Sequence, residues 1–280
     1  MPTFISLTHE VAALLTNYEL SFIERTLKRF PLGITLTQLW MVIDEVWEEL
    51  KCDPSVSDHQ IAAFYSHPVW ILNALFSMQD RESVRNREEF ARFAKSLAPS
   101  RIADFGGGFG SLGVMLTRSL PEASITIVEP NVHLVARAML TGHERVKFAN
   151  SLSDEYDLIL AVDVFEHVFD PCSVVLECSR NLRVGGCFLI ANCFEPVMKC
   201  HLDQNLHYHF SWEHIMCYLG FEPGERVAYG RVYYKVTAKP EFERVRLIIK
   251  VSRLVYPVLR LLPRGKFFVA SFIFNLFRRL

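Results

Sequence analysis

A run of glycines stands where a strand must hand over to a helix, and it constrains this chain more than any other feature. Residues 101–113 read Arg-Ile-Ala-Asp-Phe-Gly-Gly-Gly-Phe-Gly-Ser-Leu-Gly. The apolar run 102–105 predicts a short strand, and 110–120 carries helical spacing. Glycines between them let the backbone turn sharply and let a ligand approach without meeting a Cβ. The helix start adds N–H groups that have no intrahelical partner. Such a turn belongs in a parallel α/β sheet that holds a nucleoside-type ligand at its edge.

The surrounding sequence agrees with that placement. Short apolar runs at 102–105, 125–128, 158–162 and 187–193 predict strands, and 110–120, 131–141 and 171–183 predict the helices between them. The alternation implies a mostly parallel sheet with helices on both faces. After Gly220-Phe221, residues 226–229 and 231–238 read as two strands joined at Gly230, an antiparallel closing hairpin. Residues 1–98 predict a helical cap. Apolar residues recur at three- and four-residue intervals in Val11, Leu14, Leu15, Tyr18 and again in Leu39, Val42, Ile43, Val46, Trp47. The polar segment 79–89 leads into one more helix that ends near Pro99. Three segments result: a helical cap at 1–98, a ligand-binding domain at 99–239 and a basic tail at 240–280.

Two carboxylates narrow the ligand. The stretch Gly108-Phe-Gly110-Ser-Leu-Gly113 also fits the dinucleotide pattern GxGxxG. A dinucleotide would bring a pyrophosphate to the turn, and Asp104 would repel it. S-adenosylmethionine has no phosphate and carries an ammonium and a sulfonium, which a carboxylate suits. Asp104 can also serve the turn by accepting its backbone N–H groups, and the two roles coexist. Glu129 ends the next predicted strand, about twenty residues on, where a carboxylate accepts both hydroxyls of a ribose. That role fits NAD as well as S-adenosylmethionine.

At this point the chain resembles the class I S-adenosylmethionine-dependent methyltransferases. Asp104-Phe-Gly-Gly-Gly-Phe-Gly110 is similar to their first motif, D-x-G-x-G-x-G. The stretch Asp157 to Pro171, with its Glu166-His167-Val168, resembles the fourth strand and following loop of the ubiquinone/menaquinone-biosynthesis methyltransferase type. Leu182 to Ile190 resembles the entry to the fifth strand, with Val184 in place of the usual proline. His209 to Phe221 resembles the late helix that ends in Gly-Phe. The resemblance covers about 100–239 and implies a Rossmann-like α/β methyltransferase domain with S-adenosyl-L-methionine as cofactor. Carried over by position, it implies that Asp104, Phe105, Gly106, Gly107, Gly108 and Gly110 cradle the methionine part, with Glu129 and Pro130 at the ribose. It further implies Asn150 and Ser151 beside adenine, and Asp163 and Val164 near the methionine end or adenosine.

Methyl transfer from a sulfonium is an in-line displacement, so a base is needed only where the acceptor must lose a proton. Histidine suits that task near neutral pH. Candidates are His167, in the loop after the fourth strand, and His207 and His209, which an extended segment would point the same way. Some ubiquinone O-methyltransferases hold a divalent metal through E-x-x-E-H, and the corresponding trio here is Asp163, Glu166 and His167. Loop-fixing hydrogen bonds are the plainer role for Glu166 and His167. Arg85 or Arg87 suits an anionic group or a solvated helix face.

Charge and cysteine content set the remaining limits. Formal net charge is −1, which gives no reason to expect nucleic acid. The seven cysteines include no CxxC pair, so a disulfide framework is not expected and a reducing cytoplasm is. No uninterrupted apolar run reads as a membrane span, and no signal peptide is apparent. The tail is different: 240–280 carries about +7 and the rest about −8. Residues 245–262 place apolar residues on helical spacing among Arg246, Lys250, Arg253 and Arg260, with Pro257 expected to kink or interrupt the helix. Residues 267–277 are apolar but broken by Ser271 and Asn275. Such a tail suits the inner face of a membrane, with docking on a partner or on the chain itself as alternatives. The expected activity is methyl transfer to a small-molecule or lipid-like acceptor, at oxygen. An NAD-dependent oxidoreductase and a non-catalytic nucleoside-binding accessory protein are the rival readings.

Overall fold

The structure is a computed structural model that describes residues 1–262, apart from 54, 57 and 58, together with 270. The expected apolar stretch 267–277 therefore lies outside the described residues except for Ala270. The chain divides into two compact units, 1–152 with 197–200 and 153–196 with 201–280.

The first unit opens with six helices: α1 (His9–Ala12), α2 (Asn17–Arg29), α3 (Leu36–Glu49), α4 (His59–Tyr65), α5 (Val69–Gln79) and α6 (Arg81–Leu97). Each major start has a chemical cause. Thr16 and Glu19 form a reciprocal capping box on α2, Thr35 and Gln38 form another on α3, and Asp80 caps α6 by accepting the N–H of Ser83. The periodic residues Leu39, Val42, Ile43, Val46 and Trp47 of α3 are all buried, together with Ile61, Phe64, Leu72, Leu75 and Phe76 of α4 and α5. Burial of each such side chain contributes roughly 1.5–3 kcal/mol.

Two expectations for this region need correction. The spacing from Val11 to Tyr18 spans two helices, because the Thr16 capping box starts a new one. The polar segment 79–89 is no linker: Gln79 ends α5, Asp80 caps α6, and residues 81–89 are the first half of that amphipathic helix. By length and composition His59–Gln79 reaches the hydropathy of a membrane span, 1.2 on average. Its apolar residues instead supply the core just described, and α4 and α5 are separate helices on either side of Ser66-His67-Pro68.

The α/β part of this unit follows as β1 (Arg101–Phe105), α7 (Ser111–Ser119), β2 (Ser124–Val128), α8 (Leu134–Met139) and β3 (Val146–Ala149). All pairings are parallel, with Asp104 opposite Ile127 and Ile127 opposite Phe148. The second unit carries β4 (Tyr156–Val162), α9 (Pro171–Asn181), β5 (Leu182–Ala191), α10 (Tyr208–Tyr218), β6 (Phe221–Val227), β7 (Gly230–Lys235) and α11 (Phe242–Leu259). β4 and β5 are parallel, β7 is antiparallel to β5, and β6 is antiparallel to β7. The strands form a seven-stranded mixed sheet, with the run β3-β2-β1 from the first unit and β4-β5-β7-β6 from the second. This is the expected mostly parallel sheet with an antiparallel end hairpin.

The hairpin departs in detail. Its turn is Ala228-Tyr229, with Ala228 at φ +48°, and Gly230 already belongs to β7 opposite Val227. β6 begins at Phe221 and tolerates Pro223 because it is the last strand in the order. α11 runs through Pro257 to Leu259, so the proline does not interrupt it. It lies only two residues from the helix end. α11 packs on α10 through Val245, Ile248, Ser252 and Leu259. That is docking on the chain itself. The outward side carries Leu247, Leu254, Val258 and Leu261 with Arg246, Lys250, Arg253 and Arg260.

Candidate functional site

In the first unit β1 delivers Asp104 to the start of the glycine turn. Its carboxyl is 2% exposed, and Oδ2 has no hydrogen-bond partner among the described residues. Burial pushes this acid from its ordinary 3.8 up to about 7; the nearby Arg87 charge and the Gly113 N–H pull it down, and the Glu129 carboxylate adds to the rise. Arg87, weighed from sequence as an anchor for an anionic ligand, thus acts on Asp104.

The turn is shaped around that carboxyl. Gly106, Gly108 and Gly110 hold φ at +69°, +53° and +75°, the left-handed region that disfavours side chains. A Cβ on Gly107 would stand 2.6 Å from Asp104 Oδ2, so only glycine fits there. A Cβ on Gly108 would meet nothing within 4 Å, which leaves open space beside the backbone. Glu129, at the end of β2, is half-buried; its Oε2 accepts the Gly108 N–H at 3.1 Å and its Oε1 accepts the Asn131 N–H at 3.1 Å. Its remaining lone pairs are available to ribose hydroxyls. Pro130, Asn150 and Ser151 are exposed at the ends of β2 and β3. A buried acid lacking a partner, an open glycine and a second carboxylate fit S-adenosylmethionine, with its ammonium and its ribose diol.

No sequence pattern announces how this turn is braced. Phe109 packs against the helical core and stacks on His133, ring centroids 5.7 Å apart. His133 Nδ1 accepts the Val135 N–H at 3.1 Å, so Nε2 carries the proton and donates to Glu19 Oε1 at 3.0 Å. Glu19 is the same residue that closes the capping box of α2. No local spacing connects positions 114 residues apart.

In the second unit Asp163 follows β4 at φ +55°, a strained value for a non-glycine residue. It is exposed and accepts the Tyr229 hydroxyl at 2.9 Å. Val164 follows it, half-buried. Glu166 is 1% exposed, and burial raises its acid to about 7. Its Oε1 accepts the Cys193 N–H at 2.9 Å, while Oε2 has no partner among the described residues. Glu166 and His167 are brought together with His201, a residue absent from the expected trio, and their ligand atoms lie within 4.8 Å of one another. The buried side-chain atoms of Asn192, at the end of β5 beside Cys193, likewise have no partner.

The other expected histidines fall elsewhere. Residues 207–209 are not extended, since α10 begins at Tyr208, so His207 and His209 do not share a strand face. His207 is buried in the joint of α10 and α11. Its Nδ1 lies 2.6 Å from Ser252 Oγ, and its Nε2 accepts Arg253 Nε–H at 3.3 Å. Burial, aided by the Arg253 charge, lowers its pKa to about 3, so it stays neutral at physiological pH. His209 is half-buried, with Nδ1 at 3.7 Å from Glu195.

Comparison with known proteins places the chain among methyltransferases. Ubiquinone biosynthesis O-methyltransferases of Nitrosococcus oceani and Xanthomonas oryzae pv. oryzae are each 30% identical over 111 residues, 36% of this chain and 46% of theirs. The chain thus matches less than half the length of these curated relatives. Among solved structures, an O-methyltransferase family protein from Burkholderia thailandensis aligns with a TM-score of 0.52 at 15% identity, covering 75% of this chain and 74% of that one. Human N-acetylserotonin methyltransferase in complex with SAM aligns at 0.51 with 17% identity, covering 82% of this chain and 75% of that one. Both share the fold. A family profile described as a methyltransferase domain matches residues 77–219, half of the chain, including β1, the glycine turn and the strands through β5. The chain belongs to this methyltransferase-domain family.

Proposed function

We propose that this chain transfers the methyl group of S-adenosylmethionine to an oxygen of a small or lipophilic acceptor. The observation that carries the cofactor half is Asp104. A buried acid with an unpartnered oxygen, set against a glycine turn that leaves open space, suits a cationic ligand and repels a pyrophosphate. That argues against the oxidoreductase reading. Oxygen as the acceptor atom is supported by the relatives, whose names specify O-methylation in ubiquinone biosynthesis. Of the expected candidates for taking a hydroxyl proton, His207 is committed to Ser252 and Arg253 and His167 stands beside Glu166 and His201, which leaves His209. Calorimetry with S-adenosylhomocysteine and with NAD tests the cofactor: binding of the first alone is expected, and binding of NAD alone overturns the reading.

A lipophilic acceptor is favoured by α11. Its outward leucines and cations suit the interface of an anionic membrane on the cytoplasmic side. Full-length protein is expected to sediment with anionic phospholipid vesicles at low salt, and Lys250→Glu with Leu254→Asn to reduce this severalfold. Equal sedimentation of both proteins, or none of either, would sink the membrane reading.

A further inference from the structure

Glu166 presents a buried carboxylate with one oxygen secured and the other unpartnered. Leaving such an atom buried without a partner is costly unless something binds there. The two side chains gathered beside it are both imidazoles. His201 is buried, and its Nδ1 lies 2.8 Å from the carbonyl oxygen of Glu195. A carbonyl can only accept, so Nδ1 carries the proton and the lone pair is on Nε2. A backbone carbonyl that fixes the tautomer and orientation of an imidazole is the usual second layer of a metal-ligating histidine. His167 meets His201 edge to face, ring centroids 4.9 Å apart.

The frame holding these groups is itself braced. The Leu202 N–H donates to the Glu166 carbonyl at 3.0 Å, which ties the segment carrying His201 to the one carrying Glu166 and His167. Buried Asn205 donates Nδ2 to the carbonyl of Val168 at 2.7 Å, with those of Phe165 and Glu166 at 3.3 and 3.4 Å. All of these residues belong to the second unit.

We infer that Glu166, His167 and His201 form a binding site for a divalent transition-metal ion. The set differs from the trio that the resemblance implied. Asp163 is engaged by Tyr229 and is replaced by an imidazole from a separate loop. That exchange alters the metal preference. Two nitrogen donors and one carboxylate suit zinc, cobalt, manganese or ferrous iron, whereas magnesium and calcium prefer all-oxygen sets. Three protein ligands leave positions open for water or a hydroxyl-bearing ligand.

The test uses the metal alone and is independent of the cofactor reading. Untagged full-length protein, stripped with chelator, is titrated with Co(II) and followed by visible absorption, with Zn(II) competition to displace it. One equivalent per chain is expected. His201→Ala and, at the more accessible position, His167→Ala should each weaken binding by at least about tenfold, and Asp163→Asn should leave it unchanged. Circular dichroism of each apo variant distinguishes lost ligation from lost folding. No stoichiometric binding by the wild type overturns the inference. So does a Co(II) affinity insensitive to His201→Ala in folded protein, or one abolished by Asp163→Asn.

Discussion

Replacing Asp104 by Asn should make the ligand-free protein more stable and the cofactor complex weaker. The carboxyl is buried, and its proton is held up to about 7 against an ordinary 3.8, a rise of about 3 units. Below about pH 3 the acid is protonated in both folded and unfolded chains, and no penalty arises. As pH climbs, the unfolded chain releases this proton and the folded one retains it, so stability falls by about 1.4 kcal/mol per pH unit until the folded pKa is passed. By pH 8 the accumulated penalty reaches up to about 4 kcal/mol. Asparagine has the shape of the protonated acid and cannot ionise. The variant should therefore equal the wild type at about pH 3 and exceed it by up to that amount at pH 8, read from urea unfolding at several pH values. Loss of the charged partner should cost about 1.5–3 kcal/mol of binding, roughly 10- to 100-fold in S-adenosylhomocysteine affinity. A stability gap that does not change with pH, or a variant less stable than wild type at pH 8, would refute the reasoning.

Two glycines and one acid give further tests. Gly107→Ala drives a Cβ to 2.6 Å from Asp104, so it should cost about 1–3 kcal/mol of stability as well as binding. Gly108→Ala meets no protein atom, so it should cost only about 1–2 kcal/mol of backbone strain, yet lose S-adenosylhomocysteine binding at least about tenfold; equal binding would show that the open space is not the cofactor's. Glu19→Gln keeps a capping side chain but removes the charge that strengthens its bonds to Thr16 and His133, so it should destabilise by about 0.5–1.5 kcal/mol at pH 7. Burial opposes ionisation of Glu19, but Thr16 and His133 together hold its acid below the ordinary 4.5. The loss should therefore be complete above that value and vanish as pH falls through the lowered pKa, in urea titrations at pH 7 and pH 3.

The legible parts of the chain were those where one residue pattern had one physical cause. β1, β2 and β4 are apolar because they are buried on both faces, and the glycine turn is written in a contiguous string. β3 is hidden in the sequence because Val146-Lys-Phe-Ala149 is short and only half-buried, so no apolar run marks it. Most of β6 is hidden because Glu222, Pro223, Gly224 and Glu225 look like a loop, while an edge strand accepts them. Strand alternation fails for the histidines at 207 and 209 because the chain turns into a helix there. The meeting of Glu166 with His201 and of Glu19 with His133 depends on tertiary packing, for which no spacing rule exists.

The bracing of the glycine turn has a consequence for modularity. Phe109 is seated on a helical core whose residues, from Ile23 to Phe76, all precede the family-matched segment, Cys200 apart; the match begins at residue 77, inside α5. A transplanted 77–219 cassette would carry every glycine and both carboxylates, yet would leave Phe109 and His133 facing water, without Glu19. The helices outside the family segment are thus part of what makes the glycine turn a turn.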